Sequence, residues 1–159
     1  MNRWLFPLVV LIGITLVGCS KNEISNNGMT GNKPPIALIK IGNETYETKL
    51  GSYCWKGLKE STCVDTAGPV ELLENVNPIQ VKPGEKITFE MDYEPKPNEF
   101  HVIQINKNEE TDVLVDDNHF TAPMKKGVYY YSYGVWWMDK EAVNVSNGDA
   151  LYAFVLEVK

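Results

Sequence analysis

The stretch Val81-Lys82-Pro83-Gly84-Glu85-Lys86-Ile87-Thr88-Phe89 places a tight turn directly before an alternating strand. Pro followed by Gly suits the two central positions of a type II turn, because the second of them needs a positive φ. Ile87, Phe89 and Met91 then alternate with other residues, which is the pattern of a strand that buries one face. The stretch therefore predicts a turn that leads straight into a core strand.

Short strand signals separated by turns continue on both sides of this stretch. Upstream, Ile36–Ile41 and Thr45–Thr48 flank Gly42-Asn43, a pair that suits a tight hairpin turn. Downstream, Gly127 opens an aromatic run, and an alternating strand with Tyr152, Phe154, Leu156 and Val158 on one face ends the sequence. Further short runs are Phe100–Ile105, Val113–Val115 and His119–Thr121, and Ala67–Leu73 has room for a helical turn. Many short strands without a sustained helical period predict an all-β sandwich or barrel.

Two of these segments resemble bacterial immunoglobulin-like or fibronectin-like domains, in which a V-x-P-G-E-x-I-x-F strand is followed later by a G-x-Y-x-Y strand. Here they are Val81–Phe89 and Gly127-Val128-Tyr129-Tyr130-Tyr131. The resemblance implies an antiparallel immunoglobulin-like β-sandwich, in which Tyr129 would be a tyrosine-corner residue whose hydroxyl bonds back to the backbone. The inter-sheet disulfide of such domains is absent, since no cysteine falls on these two strands. The expected core contains Ile87, Phe89, Ile103, Tyr129, Tyr131, Phe154 and Leu156.

The N-terminus contains a lipobox-like motif, Leu16-Val17-Gly18-Cys19, at the end of an apolar run that begins at Trp4. The run is shorter than the ~20 residues that a membrane-spanning helix needs. It resembles the substrates of signal peptidase II, which implies cleavage before Cys19 and a diacylglycerol on its sulfur that anchors the protein to the membrane. The alternatives are a simple secretory signal with an incidental cysteine, or a short membrane anchor.

The chain is thus expected to have three parts: a lipoprotein signal peptide (1–18), a flexible tether from lipidated Cys19 (19–35) and one β-sandwich domain (36–159). The tether is rich in Asn, Gly, Ser and Thr. Over the mature chain, Gly51-Ser52-Tyr53-Cys54-Trp55, Cys63-Val64-Asp65 and the Pro-Gly-Glu strand resemble a group of uncharacterised lipoproteins of Bacillus-like bacteria. That resemblance implies a location on the outer face of the cytoplasmic membrane, but no activity.

Cys54 and Cys63 remain once Cys19 is assigned to the lipid. An extracytoplasmic pair without a third partner favours one disulfide. A redox-active pair would more often be Cys-x-x-Cys, and no histidine lies nearby in the sequence to complete a zinc site. Free thiols are the other alternative.

The net charge of the chain argues against some classes of partner. The net charge is −6 over 159 residues. Arg3 is the only charged residue in 1–18, so loss of that segment makes the net charge of the mature chain one unit more negative. An acidic protein lacks the basic footprint of nucleic-acid binding, so no nucleic acid is expected. A polar partner would be held by specific groups, by stacking or by its own positive charge.

Aromatic residues are the candidate binding groups. Trp55 and Tyr53 lie beside Cys54, and Tyr130 and Trp136 lie on the face of the aromatic strand opposite the expected core. Together with the disulfide loop they predict a patch for a protein, peptide or glycan partner, with Trp55 and Trp136 as anchors. The alternative is ordinary packing, with Trp55 covering the disulfide from inside the core.

No sequence motif for catalysis, a cofactor or a phosphate site is present. His101 and His119 fall on separate strands, and Asp116-Asp117-Asn118 beside His119 favours a turn, with a metal site as the alternative. We therefore expect a non-enzymatic binding module that uses no cofactor and no metal. The alternative is a cell-envelope enzyme or metal-binding protein that uses the region of His101 and His119, and it requires the two histidines to converge.

Overall fold

The computed structural model describes residues 29–159, where two sheets pack face to face. The small sheet has the strand order β2-β1-β6-β9, and the large sheet has the order β4-β3-β11-β10-β7-β8 with β5 also beside β11. All pairings are antiparallel except that of β5 with β11. The strands are β1 (Ala37–Ile41), β2 (Glu44–Glu47), β3 (Lys49–Lys56), β4 (Ser61–Val64), β5 (Ile79–Val81), β6 (Lys86–Met91), β7 (Glu99–Asn106), β8 (Glu109–Asp112), β9 (His119–Thr121), β10 (Gly127–Met138) and β11 (Ser146–Val158). The all-β sandwich predicted from the sequence is confirmed.

Within residues 29–159 there is one helix, α1 (Pro69–Leu72), which lies between β4 and β5, as the sequence of that segment predicted. None of the helical structure in residues 29–159 is long and apolar enough to cross a membrane. The predicted signal peptide and the lipidation at Cys19 fall outside the described residues.

The core lies between the sheets and is aromatic. Phe89 of the small sheet stacks on Tyr133 of the large sheet with ring centroids 4.1 Å apart, and Tyr131 stacks on Phe154 within the large sheet at 4.8 Å. Offset stacking adds about 0.5–1.5 kcal/mol per pair to the free energy gained from burial. Six of the seven expected core residues are buried; they are Ile87, Phe89, Tyr129, Tyr131, Phe154 and Leu156.

Ile103, the seventh, was assigned to the wrong face. Pairing between β7 and β10 sets Val102 opposite Tyr133 and Ile103 opposite Ser132. Because Tyr133 faces the core, Val102 is buried there, and Ile103 lies half-buried on the other face. The sequence of β7 does not indicate which face is buried, since apolar residues occupy both faces.

Turn chemistry explains how the strands connect. Gly84 has φ +70° and the Glu85 N–H donates to Lys82 O at 3.1 Å, which is the predicted type II turn. Gly42-Asn43 forms the predicted two-residue hairpin loop between Ile41 and Glu44. Asp117 and Asn118 both have positive φ and close a hairpin between Asp116 and His119, so this segment is a turn, as expected.

The tyrosine corner implied by the immunoglobulin-like resemblance is present. The Tyr129 hydroxyl donates a hydrogen bond of 2.8 Å to Lys125 O, four residues upstream. Tyr129 is the first core-facing residue of β10, so this bond ties the preceding loop to the start of the longest strand pair.

Residues 29–35 correct the predicted tether. The Met29 N–H donates to Lys56 O at 2.7 Å, and the Tyr152 hydroxyl donates to Pro35 O at 2.6 Å. Met29 is also buried in the core. A polar composition suggested a coil throughout, but these contacts are long-range and leave no local pattern. The folded domain therefore begins by Met29 and not at Ile36.

Candidate binding site on the outer face of the large sheet

β10 presents two different faces because side chains alternate along a strand. Tyr129, Tyr131, Tyr133, Val135 and Trp137 face the small sheet and are buried. The intervening residues lie on the opposite side of the large sheet, here called the outer face; they are Val128, Tyr130, Ser132, Gly134, Trp136 and Met138. The sequence predicted this division correctly.

Trp136 lies over Gly134 on the outer face. A Cβ added to Gly134 would be 2.7 Å from Cη2 of Trp136 and 3.1 Å from Cδ2 of Leu151, so the absence of a side chain makes room for the indole. Leu151 is opposite Gly134 on β11 and is 40% exposed. Trp136 itself is half-buried, so part of its ring contacts solvent. The result is an aromatic surface that the sheet supports from beneath.

A cavity of about 130 Å³ adjoins this surface, here called the outer-face cavity. Ser132, Leu151 and Ala153 form its floor, and Gly51 and the start of α1 form its wall. A single water needs only ~10–15 Å³ of such volume, so the cavity accommodates a small aliphatic side chain. Leu151 lines the cavity, and its Cδ2 also borders the space above Gly134 in which the Trp136 ring lies. The cavity and Trp136 therefore form one continuous site.

Two carboxylates flank Trp136. Glu99 of β7 and Asp149 of β11 are its direct cross-strand neighbours, one on each side. The Cβ atoms of such neighbours are roughly 4.5–5.5 Å apart. Asp149 Oδ1 accepts the Cys54 N–H at 3.2 Å, and Glu99 is exposed. Within residues 29–159, neither carboxylate belongs to an ion pair.

The predicted disulfide is confirmed and borders the same site. Cys54 and Cys63 are bonded and lie directly opposite each other on β3 and β4. Cys54 is also opposite Asp149, so Trp136, Asp149 and the disulfide form one row across the outer face. Neighbouring strands are ~4.8 Å apart, which puts Cys54 about 10 Å from Trp136. Both cysteines are exposed.

Trp55 was wrongly predicted as a surface anchor. It is 1% exposed, packs edge-on against Trp137 at 5.0 Å, and donates its indole N–H to Gly31 O at 3.3 Å. The alternative expectation, packing inside the core, is the correct one. Trp55 follows Cys54 on β3, and alternation sends the two side chains to opposite faces.

The other two predicted aromatics do not join Trp136. Tyr53 is half-buried and packs against the main core. Tyr130 is on the outer face but six residues from Trp136, about 20 Å along the strand. It packs against a small apolar cluster that contains Leu72 and Leu73. Of the predicted binding residues, only Trp136 therefore belongs to the continuous site.

The two histidines do not converge. His101 lies on β7 of the large sheet and pairs with Asp112 at 2.9 Å, whereas His119 lies on β9 of the small sheet, where Nδ1 is 3.3 Å from Asp117 O. No group of three or more His, Cys, Asp or Glu side chains suited to a metal ion occurs within the described residues. The two histidines therefore do not form one common site.

Gly134, Leu151, Glu99 and Asp149 were not singled out from the sequence. Gly134 offered the one local signal, because a glycine two residues before a tryptophan on the same strand face leaves space for the ring. The other three become neighbours only through strand register. Comparisons with protein-family models, curated proteins and solved structures found no match to this chain.

Proposed function

We propose that this protein is a lipoprotein anchored through Cys19 on the outer face of the membrane, where it acts as a non-enzymatic binding module. Its ligand is an extended peptide segment of a partner protein, held on the outer face of the large sheet. The continuity of Trp136 with the outer-face cavity through Leu151 carries this proposal.

The site has the features of an interaction hot spot. Tryptophan is among the residue types most enriched at such positions, and a neighbouring pocket lets a ligand side chain be desolvated. The β10–β11 ladder beneath keeps its register from Gly127 to Trp137, and the disulfide cross-links β3 to β4 at the edge of the sheet, so little ordering is needed on binding. A peptide with an aliphatic side chain fits better than a glycan, because the cavity lining is mainly apolar and burying several sugar hydroxyls against it would leave some of them without partners.

The lipobox supports the anchor, and the start of the folded domain at Met29 limits how far the domain would lie from it. Nine residues lie between Cys19 and Met29, and these ten residue steps limit the distance between the two residues to roughly 35 Å. The domain would stay close to the membrane, within reach of membrane-proximal proteins. Replacing Cys19 by Ala should abolish labelling with a palmitate analogue, and unchanged labelling would contradict the anchor.

Selection from a random displayed peptide library tests the binding role. We expect enriched peptides that bind wild-type protein but neither Trp136→Ala nor Ser132→Leu, which fills the cavity with the protein's own side chain. Phe100→Ala removes an exposed aromatic from the opposite face of the neighbouring strand and should bind normally. Thermal melts establish that each variant is folded.

Two results would overturn the proposal. One is the absence of any enriched peptide, and Trp136-dependent retention on a glycan array would then identify a glycan module. The other is enrichment of peptides that bind Trp136→Ala and Ser132→Leu as well as they bind wild type.

A further inference from the structure

We infer that the segment bound at this site presents a basic side chain to Trp136 and an aliphatic side chain to the outer-face cavity, two residues apart. This inference rests on the proposed function and specifies the chemistry of its ligand.

The charge around Trp136 is the first reason. Glu99 and Asp149 flank the indole from both neighbouring strands, and neither is neutralised by an ion pair within residues 29–159. Lys56, which is on β3 beyond Cys54, forms no ion pair with either carboxylate within residues 29–159. The surroundings of Trp136 therefore retain negative charge.

The indole is the second reason. A lysine ammonium or an arginine guanidinium is attracted to the face of a tryptophan ring, and tryptophan is the strongest of the aromatic residues in this role. The same cation would lie within reach of both carboxylates. An anionic ligand would meet repulsion from the ring face and from both acidic side chains, so the arrangement also discriminates against acidic segments.

The spacing of the two subsites is the third reason. The Trp136 ring lies over Gly134, whereas the cavity floor is formed by Ser132 and its partner Ala153. Positions 132 and 134 are separated by about 7 Å, which is also the distance between side chains i and i+2 of an extended peptide. One strand of a partner can therefore fill both subsites with side chains from the same face.

Two acetylated and amidated synthetic peptides, Ser-Leu-Ser-Lys-Ser and Ser-Lys-Ser-Leu-Ser, test the inference in both chain directions. The readout is the indole N–H resonance of Trp136 in ¹H–¹⁵N spectra of the purified protein, with buried Trp55 and Trp137 as internal controls. We expect at least one peptide to shift the Trp136 resonance saturably in the millimolar range. Replacing its lysine by glutamate, or its leucine by glycine, should weaken binding about tenfold.

Matched charge variants separate a local effect from net charge. Glu99→Gln combined with Asp149→Asn should weaken binding about tenfold, and the amide oxygen introduced at position 149 can still accept the Cys54 N–H. Glu47→Gln combined with Asp92→Asn makes the same change in net charge away from the outer face and should leave affinity unchanged. Added salt should weaken binding to wild type more than to the outer-face double variant.

The inference is overturned if neither peptide shifts the Trp136 resonance, if lysine and glutamate peptides bind equally, or if both double variants lose affinity to the same extent. The proposed function fails separately, when selection finds no peptides that depend on Trp136. If selected peptides depend on Trp136 but lack basic residues, the proposed function stands and this inference is wrong.

Discussion

Gly134 and Gly148 each lie beneath a tryptophan ring, but the two rings are on opposite faces of the large sheet. A Cβ at Gly148 would be 2.7 Å from Cε3 of Trp55 on the core side, and one at Gly134 would be 2.7 Å from Cη2 of Trp136 on the outer side. In the β10–β11 ladder, Gly134 is opposite Leu151 and Gly148 is opposite Trp137. A tryptophan ring packed over a glycine thus stabilises the core at Gly148 and shapes the candidate binding surface at Gly134.

This difference predicts unequal effects of truncating the two tryptophans. Trp55→Ala should lower the free energy of unfolding by about 3–5 kcal/mol, because it leaves a cavity between Trp137 and Tyr93. Trp136→Ala should lower the free energy of unfolding by at most ~1–2 kcal/mol, since Trp136 is only half-buried. Denaturant unfolding measures both values, and equal costs would contradict the assignment of the two residues to core and surface.

The tyrosine corner predicts a smaller and specific effect. Tyr129→Phe removes only the hydrogen bond to Lys125 O and should cost about 0.5–1.5 kcal/mol. Tyr130→Phe is the matched control, because the Tyr130 hydroxyl makes no hydrogen bond with residues 29–159 and its loss should be neutral. Chemical denaturation of both variants checks the prediction, which is wrong if the two behave alike.

The β3–β4 hairpin is the element with a covalent constraint. Its disulfide joins residues nine apart in the sequence, and the entropy of closing a loop of this size corresponds to about 2.5–3 kcal/mol. Reduction should therefore lower the melting temperature by several degrees while the sandwich core stays folded. Calorimetry with and without reductant, and with Cys54→Ala/Cys63→Ala as the reference, measures this. An unchanged melting temperature would show that the disulfide does not restrain the unfolded chain.

Elements with local chemistry were predictable, and elements defined by distant pairing were not. Gly42-Asn43 and Pro83-Gly84 identify their turns through the φ values they permit, and the alternation in β10 and β11 identifies the core face. β8 has the sequence Glu-Glu-Thr-Asp and is exposed throughout, so only its pairing with β7 makes it a strand. β4 was likewise read as part of a loop, because its four residues carry little apolar character.

Val113–Val115 shows the converse error. Its β-branched residues predicted a strand, yet the segment lies outside the strands. Val113 and Val115 pack against the core, while Leu114 between them is 94% exposed. The segment therefore buries alternate side chains, and the Val113 N–H donates to Val102 O at 2.9 Å, but no continuous strand pairing follows. The candidate site was only partly predictable for the same reason: Trp136 follows from alternation, whereas Glu99, Asp149 and Leu151 join it through register.

The core of the molecule contains several buried tyrosines, so we expect the fold to lose stability at high pH. Burial raises the pKa of Tyr133 to about 12 and raises the pKa values of Tyr131 and Tyr152 as well. In the unfolded chain these hydroxyls ionise near pH 10, so the stabilisation is fully present below that pH and is lost as the pH rises toward 12. Each tyrosine contributes a loss of about 1.4 kcal/mol per pH unit in that window.

Absorbance of tyrosinate at alkaline pH measures this directly. We expect part of the signal from the eight tyrosines to appear together with the loss of β-sheet circular dichroism, in one cooperative transition. A gradual titration of all tyrosines around pH 10 with the fold intact would contradict the buried positions of Tyr131, Tyr133 and Tyr152.

Binding of a partner's peptide segment to the outer face of the large sheet at Trp136 can be located on the molecule by backbone ¹H–¹⁵N shift mapping. The probe is a saturating peptide from the selection. We expect the largest shifts at Trp136, Gly134, Ser132 and Leu151, with little change in the small sheet or at Trp55. Shifts that cluster on the small sheet or on the loops at either end of the sandwich, with Trp136 unaffected, would contradict it.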